Sequence, residues 1–355
     1  MGKINCRKCH IDAIIPGMKL GKTILTEEGK VALAEGIVLT SRILDRLRTW
    51  NLTYLDIYDA SVELENQHPV TYSQQNFFDK YSGTVDFIKY TFDTIRLLKT
   101  VPIDDIRHLV GKAIDPLIHS VGVINHLHMV QRQDDYTYHH SVNVAVIAGV
   151  LGKWLGLKEN ELLNICLTGL LHDVGKTQIP LSILNNPNRL TAAEMDVMRK
   201  HTTLGYRLIQ NIPELPLSVK YGVLQHHERN NGTGYPLMLN GDQIHLFAKI
   251  VSIADIYDAM TSDRIYHQKS PPFEVVELMV KEMFGSLDPL ICSVFLNNVR
   301  DYFLGNTVAL DDGREAEVVY LGHFISCRPV VRTVDGDFID LEKNKTLSIA
   351  KLVKA

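Results

Sequence analysis

The pattern of apolar and polar residues changes along the chain and divides it into four predicted segments. In residues 1–70, short apolar stretches are separated by Glu-Gly turns, and residues 52–58 alternate apolar and polar side chains, as is typical of a strand. A helix is predicted over residues 40–50, with Thr40 or Ser41 as its N-cap. This pattern predicts a small β-rich N-terminal module with an accessory or dimerisation role.

Residues 71–133 are predicted to contain a linker and long amphipathic helices. Residues 60–75 are polar, whereas the apolar residues that follow recur at steps of three and four. These apolar residues are Phe77, Phe78, Tyr81, Val85, Ile88, Phe92, Ile95 and Leu98. A second long helix is predicted over residues 103–133. Such helices can dimerise a chain or transmit a signal, and packing against their own chain is the alternative.

Residues 134–304 are predicted to be almost wholly helical, and residues 305–355 to form a small β-rich tail. Prolines and a turn at residues 232–236 interrupt the helical segment. In the tail, Asp-Gly turns lie between alternating stretches, which is typical of hairpins. The predicted fold class is therefore mainly α, with an all-helical domain between two small β-rich appendages.

The composition narrows the possible function classes. The chain has 355 residues, 45% of them hydrophobic and 8% aromatic, which is ordinary for a globular protein. A formal net charge of -4 gives no basic excess, so no nucleic-acid polymer is expected as a partner. The sequence contains no run of 18 apolar residues and no secretory signal. We therefore expect a cytoplasmic protein with no membrane partner.

The five cysteines are scattered and odd in number, which fits a reducing compartment better than a disulfide framework. Cys6, Cys9 and His10 form a C-x-x-C-H pattern, which also occurs at haem c attachment sites and could begin a zinc site. Neither a second cysteine pair nor an export signal accompanies it. We therefore interpret these residues as a mobile, reduced N-terminal segment.

Histidine and aspartate recur through the helical segment. His172 and Asp173 are adjacent at the end of an apolar run, just ahead of Gly175 and Lys176. Imidazole and carboxylate groups bind transition metals, and one carboxylate can bridge two ions that together activate water for phosphoryl displacement. Singly, each such residue is more often a helix cap or a satisfied polar group, but together they indicate a metal centre. The candidates are His140, His172, Asp173, His201, His226, His227 and Asp255.

The order H…HD…H…HH…D resembles the ligand order of the HD superfamily of metal-dependent phosphohydrolases. Residues 226–236, HHERNNGTGYP, are similar to the signature of its HD-GYP branch, the cyclic di-GMP phosphodiesterases. The resemblance covers about residues 137–303. It implies an HD-type catalytic domain that hydrolyses cyclic di-GMP to pGpG, with GMP as an alternative end product, by means of a hydroxide activated by two metal ions.

The resemblance also implies a role for each matching position. It implies two divalent transition-metal ions, and iron or manganese is expected. The ligands implied for the first ion are His140, His172, Asp173 and Asp255. Those implied for the second are His201, His226 and His227, with Asp173 bridging the two ions.

For the substrate, the resemblance implies contacts with a lysine, an arginine and the GYP loop. The resemblance implies that Lys176 is catalytic together with Asp173. Lys176 would stabilise the phosphate or the leaving 3′-oxygen. Arg264 would bind a phosphate or a guanine, because its planar fork suits both. The loop formed by Gly234, Tyr235 and Pro236 would shape the pocket.

Four positions depart from the pattern of this family. Tyr136 stands where some members carry a glutamate and hold a third metal, so two ions are expected. Asn231 replaces the usual aspartate, and Met238 replaces a glycine that usually follows the GYP turn. His267 stands where a basic residue commonly follows Arg-x-Tyr, which weakens the expected contact with a nucleotide.

Several alternatives stay open on the sequence. Cyclic GMP-AMP is a second candidate substrate, because no residue can be assigned to the choice of guanine over adenine. A third hypothesis is that the chain is another HD-type nucleotide hydrolase, but the GYP loop is evidence against this activity. A different class of protein, a non-catalytic sensor that binds a dinucleotide and signals through its appendages, is also consistent with the motifs. A homodimer formed through residues 77–133 and signalling protein partners are further hypotheses.

Overall fold

The computed structural model describes a large part of the chain. The described residues are 6–11, 14, 18–25, 31–33, 37, 39, 43–44, 47–48, 52–58, 74–120, 122–130, 136–262, 272–301, 303–321 and 328–354. The chain divides into two compact units, Met1–Thr71 and Tyr72–Ala355.

The first unit contains two short antiparallel strand pairs. Strand β1 (Cys6–His10) pairs with β4 (Tyr54–Tyr58), and β2 (Ile24–Leu25) pairs with β3 (Val31–Leu33). Strand β4 confirms the strand that was predicted at residues 52–58. A small core of its own lies in this unit and includes Ile11, Leu20, Leu39, Leu44, Leu47 and Ile57. The predicted N-caps at positions 40 and 41 lie outside the described residues.

The prediction of a mobile segment at Cys6, Cys9 and His10 is wrong, because these residues lie in β1. Pairing with β4 places Cys9 opposite Leu55 and His10 opposite Tyr54. The local pattern gives no signal for this strand, because its partner lies more than forty residues away along the chain. Successive residues of a strand point to opposite faces. Cys9 and His10 therefore do not share a face on which they could bind one metal ion.

The second unit begins with the long predicted helix. Helix α1 (Gln74–Leu98) buries the apolar face that the three- and four-residue spacing predicted. The buried side chains are Phe77, Tyr81, Val85, Ile88, Phe92 and Ile95, which belong to the main core. The inner face of this helix thus packs against its own chain.

The second predicted long helix, at residues 103–133, is wrong. The structure has α2 (Ile103–Leu109), a π-helical turn (Val110–Ile114), α3 (Asp115–Ile118) and α4 (Val123–Met129) instead. Pro116 at the start of α3 has no N–H to continue the hydrogen bonds of the preceding turn. Gly122, with φ of 71°, separates α3 from α4 because this left-handed conformation does not continue a helix.

The remaining helices surround one buried core. Helix α5 (Tyr136–Trp154) is buried almost continuously from residue 140 to residue 152 and packs against α6 (Glu159–Leu171) and α11 (Leu246–Thr261). A helix that is apolar on most sides belongs in the interior. The other helices are α7 (Leu181–Leu184), α8 (Ala192–Arg199), α9 (His201–Ile209), α10 (Leu217–Gln225), α12 (Pro272–Met283) and α13 (Pro289–Asp301), with 3₁₀ turns at Val174–Gln178 and Gly241–Gln243.

The C-terminal residues form a five-stranded antiparallel sheet of order β8-β7-β6-β5-β9. Its strands are β5 (Thr307–Leu310), β6 (Glu315–Tyr320), β7 (Val330–Thr333), β8 (Phe338–Asp340) and β9 (Ile349–Lys354). Both predicted Asp-Gly turns connect neighbouring strands. The buried face of the sheet, including Val308, Val318 and Val331, joins the core of the helices. The mainly α fold class is confirmed, and no described helix is long and apolar enough to cross a membrane.

Candidate metal centre

The structure brings all seven predicted ligands together from five places in the helical core. His140 lies in the second turn of α5, His172 and Asp173 follow α6, and Asp255 lies within α11. His201 opens α9, and His226 and His227 follow α10. Three overlapping groups have side-chain atoms close enough together to hold a metal ion. These groups are His140, His172 and Asp255; His172, Asp173 and His226; and His201, His226 and His227.

Asp173 lies between two sets of imidazoles and is 1% exposed. Its Oδ2 is 3.3 Å from Nε2 of His172 and 3.7 Å from Nε2 of His140. Its other oxygen, Oδ1, is 3.3 Å from Nε2 of His201. The two oxygens of one carboxylate therefore face different sets of imidazoles, as a bridging ligand must.

Asp255 and the histidine pair after α10 complete the cluster. One oxygen of Asp255 is 3.1 Å from Nε2 of His140, and the other is 3.9 Å from Nδ1 of His227. The Nε2 atoms of His201 and His226 are 3.3 Å apart. Asp255 therefore lies beside His140 on one side of the cluster and beside His227 on the other.

Local helix geometry orients three of the imidazoles. Nδ1 of His172 donates to the Gly169 carbonyl at 2.7 Å, because a carbonyl can only accept. In the same way His201 donates to Met198 and His226 donates to Val223, each at 2.8 Å. Each histidine thus bonds to a carbonyl three residues earlier at a helix end. This bond fixes the tautomer and directs the Nε2 lone pair toward the centre.

Two atoms in the middle of the cluster test whether a cation fits there. Among the described residues, Nε2 of His172 and Oδ1 of Asp173 are buried without a hydrogen-bond partner. An unpaired buried acceptor is costly, and a metal ion at this point would satisfy both atoms. The described part of the cluster contains only imidazole and carboxylate donors, which suit iron, manganese or zinc.

Burial and charge set the protonation states of the cluster. Burial lowers the pKa of His226, that of His201 to about 4 and that of His227 to about 3. These three imidazoles are therefore neutral near pH 7, as metal ligands must be. Burial alone would raise the pKa of Asp173, but the Lys176 ammonium and the neighbouring imidazoles lower it well below its usual range.

His140 differs because it is held by carboxylates. Burial would lower its pKa, but hydrogen bonds to Asp255 and Asp258 outweigh that effect and raise the pKa to about 9. Nδ1 of His140 donates to Asp258 at 2.7 Å. The other oxygen of Asp258 accepts from Asn143 at 2.5 Å and from Ser262 at 2.9 Å. Asp258 thus orients His140 as the backbone carbonyls orient the other imidazoles.

Sequence analysis gave Asp258 no role. It lies three residues after Asp255, so both carboxylates share one face of α11. Asn143 lies three residues after His140 and in the same way shares a face of α5. This spacing is the sequence signal that could have identified both residues.

Lys176 lies on the 3₁₀ turn directly after the His-Asp pair. Its Nζ is 2.5 Å from Oδ2 of Asp173, and its side chain is 26% exposed. The turn packs so closely against α9 that a Cβ on Gly175 would lie 1.8 Å from the carbonyl oxygen of His201. This contact therefore requires a glycine at position 175 of the sequence HDVGK, residues 172–176. The same motif places the Lys176 ammonium between the cluster and solvent.

The GYP loop, residues 234–236, lies against His227, which follows α10. The ring of Tyr235 stacks on the ring of His227 with centroids 4.7 Å apart. The backbone N–H of Tyr235 donates to the backbone carbonyl of His227 at 3.2 Å. A Cβ on Gly234 would lie 2.4 Å from Cα of Glu228, and the Tyr235–Pro236 peptide bond is cis. The buried carboxylate of Glu228 accepts from the N–H groups of residues 237 and 239 at 2.6 and 2.9 Å.

The structure also places three of the four departures from the family pattern beside the cluster or in its loop. The Tyr136 ring stacks on His140 with centroids 5.5 Å apart, where a glutamate would be a further ligand. Met238 adopts a positive φ of 54°, a conformation that favours glycine. Asn231 accepts from Thr233 within the loop. Arg264 and His267 lie outside the described residues.

Comparison with known proteins agrees with this geometry. Residues 125–291 match the model of the HD domain family, which confirms the resemblance seen in the sequence. The chain is 38% identical over 185 residues to the cyclic di-GMP phosphodiesterase PA4108 of Pseudomonas aeruginosa, a match covering 52% of this chain and 44% of that protein. It is 33% identical over 176 residues to the 3′3′-cGAMP-specific phosphodiesterase 1 of Vibrio cholerae, covering 49% of this chain and 41% of that protein.

Both matches span less than half the length of those relatives. Among solved structures, the fold is similar to that of Bd1817, an HDG"Y"P protein from Bdellovibrio bacteriovorus, with a TM-score of 0.54 and 16% identity. That likeness covers 83% of this chain and 100% of the other. At this level of identity it shows the shared fold.

Proposed function

We propose that the chain is a phosphodiesterase that hydrolyses cyclic di-GMP to pGpG, with GMP as the alternative end product. The observation that carries the proposal is the position of Asp173, whose two oxygens face separate sets of buried imidazoles. Such an arrangement suits a two-metal centre, which is a recurring device for hydrolysing phosphate esters. The name of the Pseudomonas aeruginosa relative supports cyclic di-GMP as the substrate.

The proposed centre holds two ions of iron or manganese. The ligands proposed for the first are His140, His172, Asp173 and Asp255, and those for the second are His201, His226, His227 and the shared Asp173. When bound, such ions supply an activated water and positive charge beside the phosphate. With Tyr136 stacked on His140, the described site offers no carboxylate at the position of a third-metal ligand.

The other side chains of the site position the substrate. The Lys176 ammonium is partly exposed and can donate to a phosphate oxygen or to the leaving 3′-oxygen as negative charge develops there. Gly234, Tyr235 and Pro236 would form one wall of the pocket, with Tyr235 stacked on His227 and with the N–H of the following residue, Leu237, bound to the Glu228 carboxylate. We also propose that Arg264 binds a phosphate or a guanine, on the sequence pattern alone.

The experiment is a product assay with the purified full chain loaded with manganese or iron. We expect cyclic di-GMP to be converted to pGpG, and Asp173→Ala to lose both bound metal and turnover. Asp312→Ala is the matched control, because Asp312 pairs with Arg314 in an exposed turn of the C-terminal sheet. Turnover that survives in Asp173→Ala would overturn the mechanism.

Cyclic GMP-AMP is the second candidate substrate, and the Vibrio cholerae relative favours it. Both dinucleotides present the same phosphodiester to the cluster and differ in one base. The assay therefore includes cyclic GMP-AMP as a separate substrate. Faster turnover of that dinucleotide would replace the first candidate, whereas tight binding of either one without turnover by metal-loaded protein would support the sensor reading.

A further inference from the structure

Helix α1 contacts the metal-binding region through a charged side chain in its last turn. The guanidinium of Arg96 donates to the carbonyl of Lys176 at 3.1 Å and to the carbonyl of Ile179 at 3.0 Å. The two carbonyls lie within and just beyond the 3₁₀ turn that follows the His-Asp pair. One side chain of α1 thus binds the turn that carries the proposed catalytic lysine.

The opposite end of this turn is fixed to the bridging aspartate. The N–H of Lys176 donates to the backbone carbonyl of Asp173 at 2.9 Å, while its Nζ pairs with the carboxylate of the same residue. Lys176 is therefore held from both sides, by Asp173 and by Arg96. Movement of the Arg96 guanidinium would displace the Lys176 backbone relative to the cluster.

A second side chain of α1 reaches the cluster from another direction. The buried Tyr81 hydroxyl donates to the side-chain carbonyl of Asn143 at 2.7 Å. Asn143 donates to Asp258 at 2.5 Å, and Asp258 accepts from Nδ1 of His140. Tyr81 is thus three hydrogen bonds from a proposed metal ligand, and the same hydroxyl lies 3.1 Å from Nδ1 of His139.

We propose that Arg96 and Tyr81 are positioning residues through which helix α1 sets the geometry of the site. This inference rests on the proposed function. The apolar face of α1 already packs the helix onto the core, whereas the polar contacts of Arg96 and Tyr81 reach the turn of Lys176 and the network that orients His140. A displacement of this one helix would therefore change both the lysine and a metal ligand.

The first test separates positioning by Arg96 from a general structural role. We expect Arg96→Ala to lower kcat roughly tenfold or more, with a smaller change in KM, because small displacements of catalytic groups have large effects on rate. Arg96→Lys restores the charge at the helix end but not the fork that spans two carbonyls, so we expect it to recover only part of kcat. Arg300→Ala is the matched control, because Arg300 also donates from a helix to a backbone carbonyl, that of Leu321.

If Arg96→Lys has the wild-type kcat, or if Arg300→Ala lowers kcat as much as Arg96→Ala, Arg96 has only a structural role and its part of the proposal is overturned. Should Arg96→Ala fail to fold, the comparison of Arg96→Lys with Arg300→Lys decides the question in the same way.

The second test measures metal affinity and does not depend on turnover. Calorimetric titration of the metal-free full chain with Mn²⁺ should show weaker binding by Tyr81→Phe, up to roughly tenfold, because outer hydrogen bonds tune metal affinity. Asp258→Asn should weaken binding more, since Asp258 contacts His140 directly. Tyr320→Phe is the control, because Tyr320 is 61% exposed on β6. Wild-type Mn²⁺ affinity in Tyr81→Phe would overturn the role of Tyr81.

The two tests fail differently from the proposed function. In one outcome the wild-type chain cleaves no dinucleotide, but Tyr81→Phe weakens Mn²⁺ binding and Asp258→Asn weakens it more. The proposed function then fails, and the positioning through Tyr81 stands. If the wild-type chain is active and all α1 variants match it in kcat and Mn²⁺ affinity, the proposed function stands and the positioning inference is overturned.

Discussion

At the scale of single residues, the site depends on hydrogen bonds that orient four of its five imidazoles. His172, His201 and His226 each bond to a carbonyl three residues earlier, and His140 bonds to Asp258. Their Nε2 atoms therefore point into one buried centre. Such preorganisation lowers the cost of assembling a metal site from a helical core.

Lys176 provides the first prediction at this scale. Replacing it by methionine removes the ammonium beside Asp173 and leaves the proposed ligands in place, so Lys176→Met should keep its metal. Its kcat should fall by roughly 10²-fold, because one donor to the developing charge is lost. Steady-state kinetics and metal analysis measure the two effects. Lys281→Met, which alters an exposed lysine on α12, is the control, and wild-type kcat in Lys176→Met would contradict the assigned role.

Met238 provides a second prediction, which concerns stability. Its side chain is 72% exposed, so it contributes little packing, and its φ of 54° is strained for a residue with a Cβ. Met238→Gly should leave the free energy of unfolding unchanged or raise it by up to about 1 kcal/mol, because relief of strain exceeds the added chain entropy. Met238→Val should lower it by about 1 kcal/mol. Urea denaturation of both variants checks this order, and greater stability of the valine variant would contradict it.

At the scale of elements, a helix cap links α13 to α11. Oδ1 of Asp288 accepts from the N–H groups of Leu290 and Ile291 at 3.1 and 3.2 Å, and Oδ2 pairs with Lys249 at 2.9 Å. Asp288→Ala should therefore lower the free energy of unfolding by about 1–2 kcal/mol at pH 7. Asp312→Ala, at an exposed turn, is the control and should change it much less.

The pH dependence of this cap has a definite sign. Burial alone would raise the pKa of Asp288, but its bond to Lys249 and the helix N–H groups lowers the pKa in the folded chain. The stabilisation is therefore present above the unfolded-state pKa of about 4 and is lost as the pH falls through the lower folded-state value. The stability difference between wild type and Asp288→Ala should shrink below about pH 4. A difference that grows on acidification would contradict the cap.

The sequence predicts those elements that local pattern determines. The spacing of apolar residues predicts α1, and the Asp-Gly turns predict the hairpins of the C-terminal sheet. Strand β1 was missed because its pairing with β4 is not local. The predicted helix at residues 103–133 is interrupted between Ile118 and Val123, where Gly122 adopts a positive φ, and the apolar spacing gives no signal of that conformation.

For the site, the residue types and their order predicted the cluster, but not the contacts behind it. The predicted ligands lie at helix ends and on helix faces that meet in the core. Asp258 was not identified, because spacing alone does not show which of two carboxylates on a face reaches a metal and which reaches His140. The contacts of Arg96 and Tyr81 join residues more than sixty positions apart, so the local pattern contains no signal for them.

At the scale of the whole molecule, α1 has two faces. Its inner face packs against the core, which confirms the alternative that this helix packs onto its own chain, while Tyr90 and Leu97 on the outside are 73% and 80% exposed. Dimerisation through residues 77–133 stays a prediction. Sedimentation of the full chain should show a dimer that Leu97→Glu dissociates and that Leu290→Glu, an exposed leucine on α13, does not. A dimer unaffected by Leu97→Glu would contradict a role for this face.

The central claim is that Asp173 bridges two ions in one buried cluster. Anomalous X-ray diffraction at the manganese edge, from crystals of the full chain soaked in Mn²⁺, tests it most directly. The account predicts two peaks on either side of the Asp173 carboxylate, one beside His140, His172 and Asp255 and the other beside His201, His226 and His227. A single peak, or a pair of peaks that does not share Asp173, would contradict it.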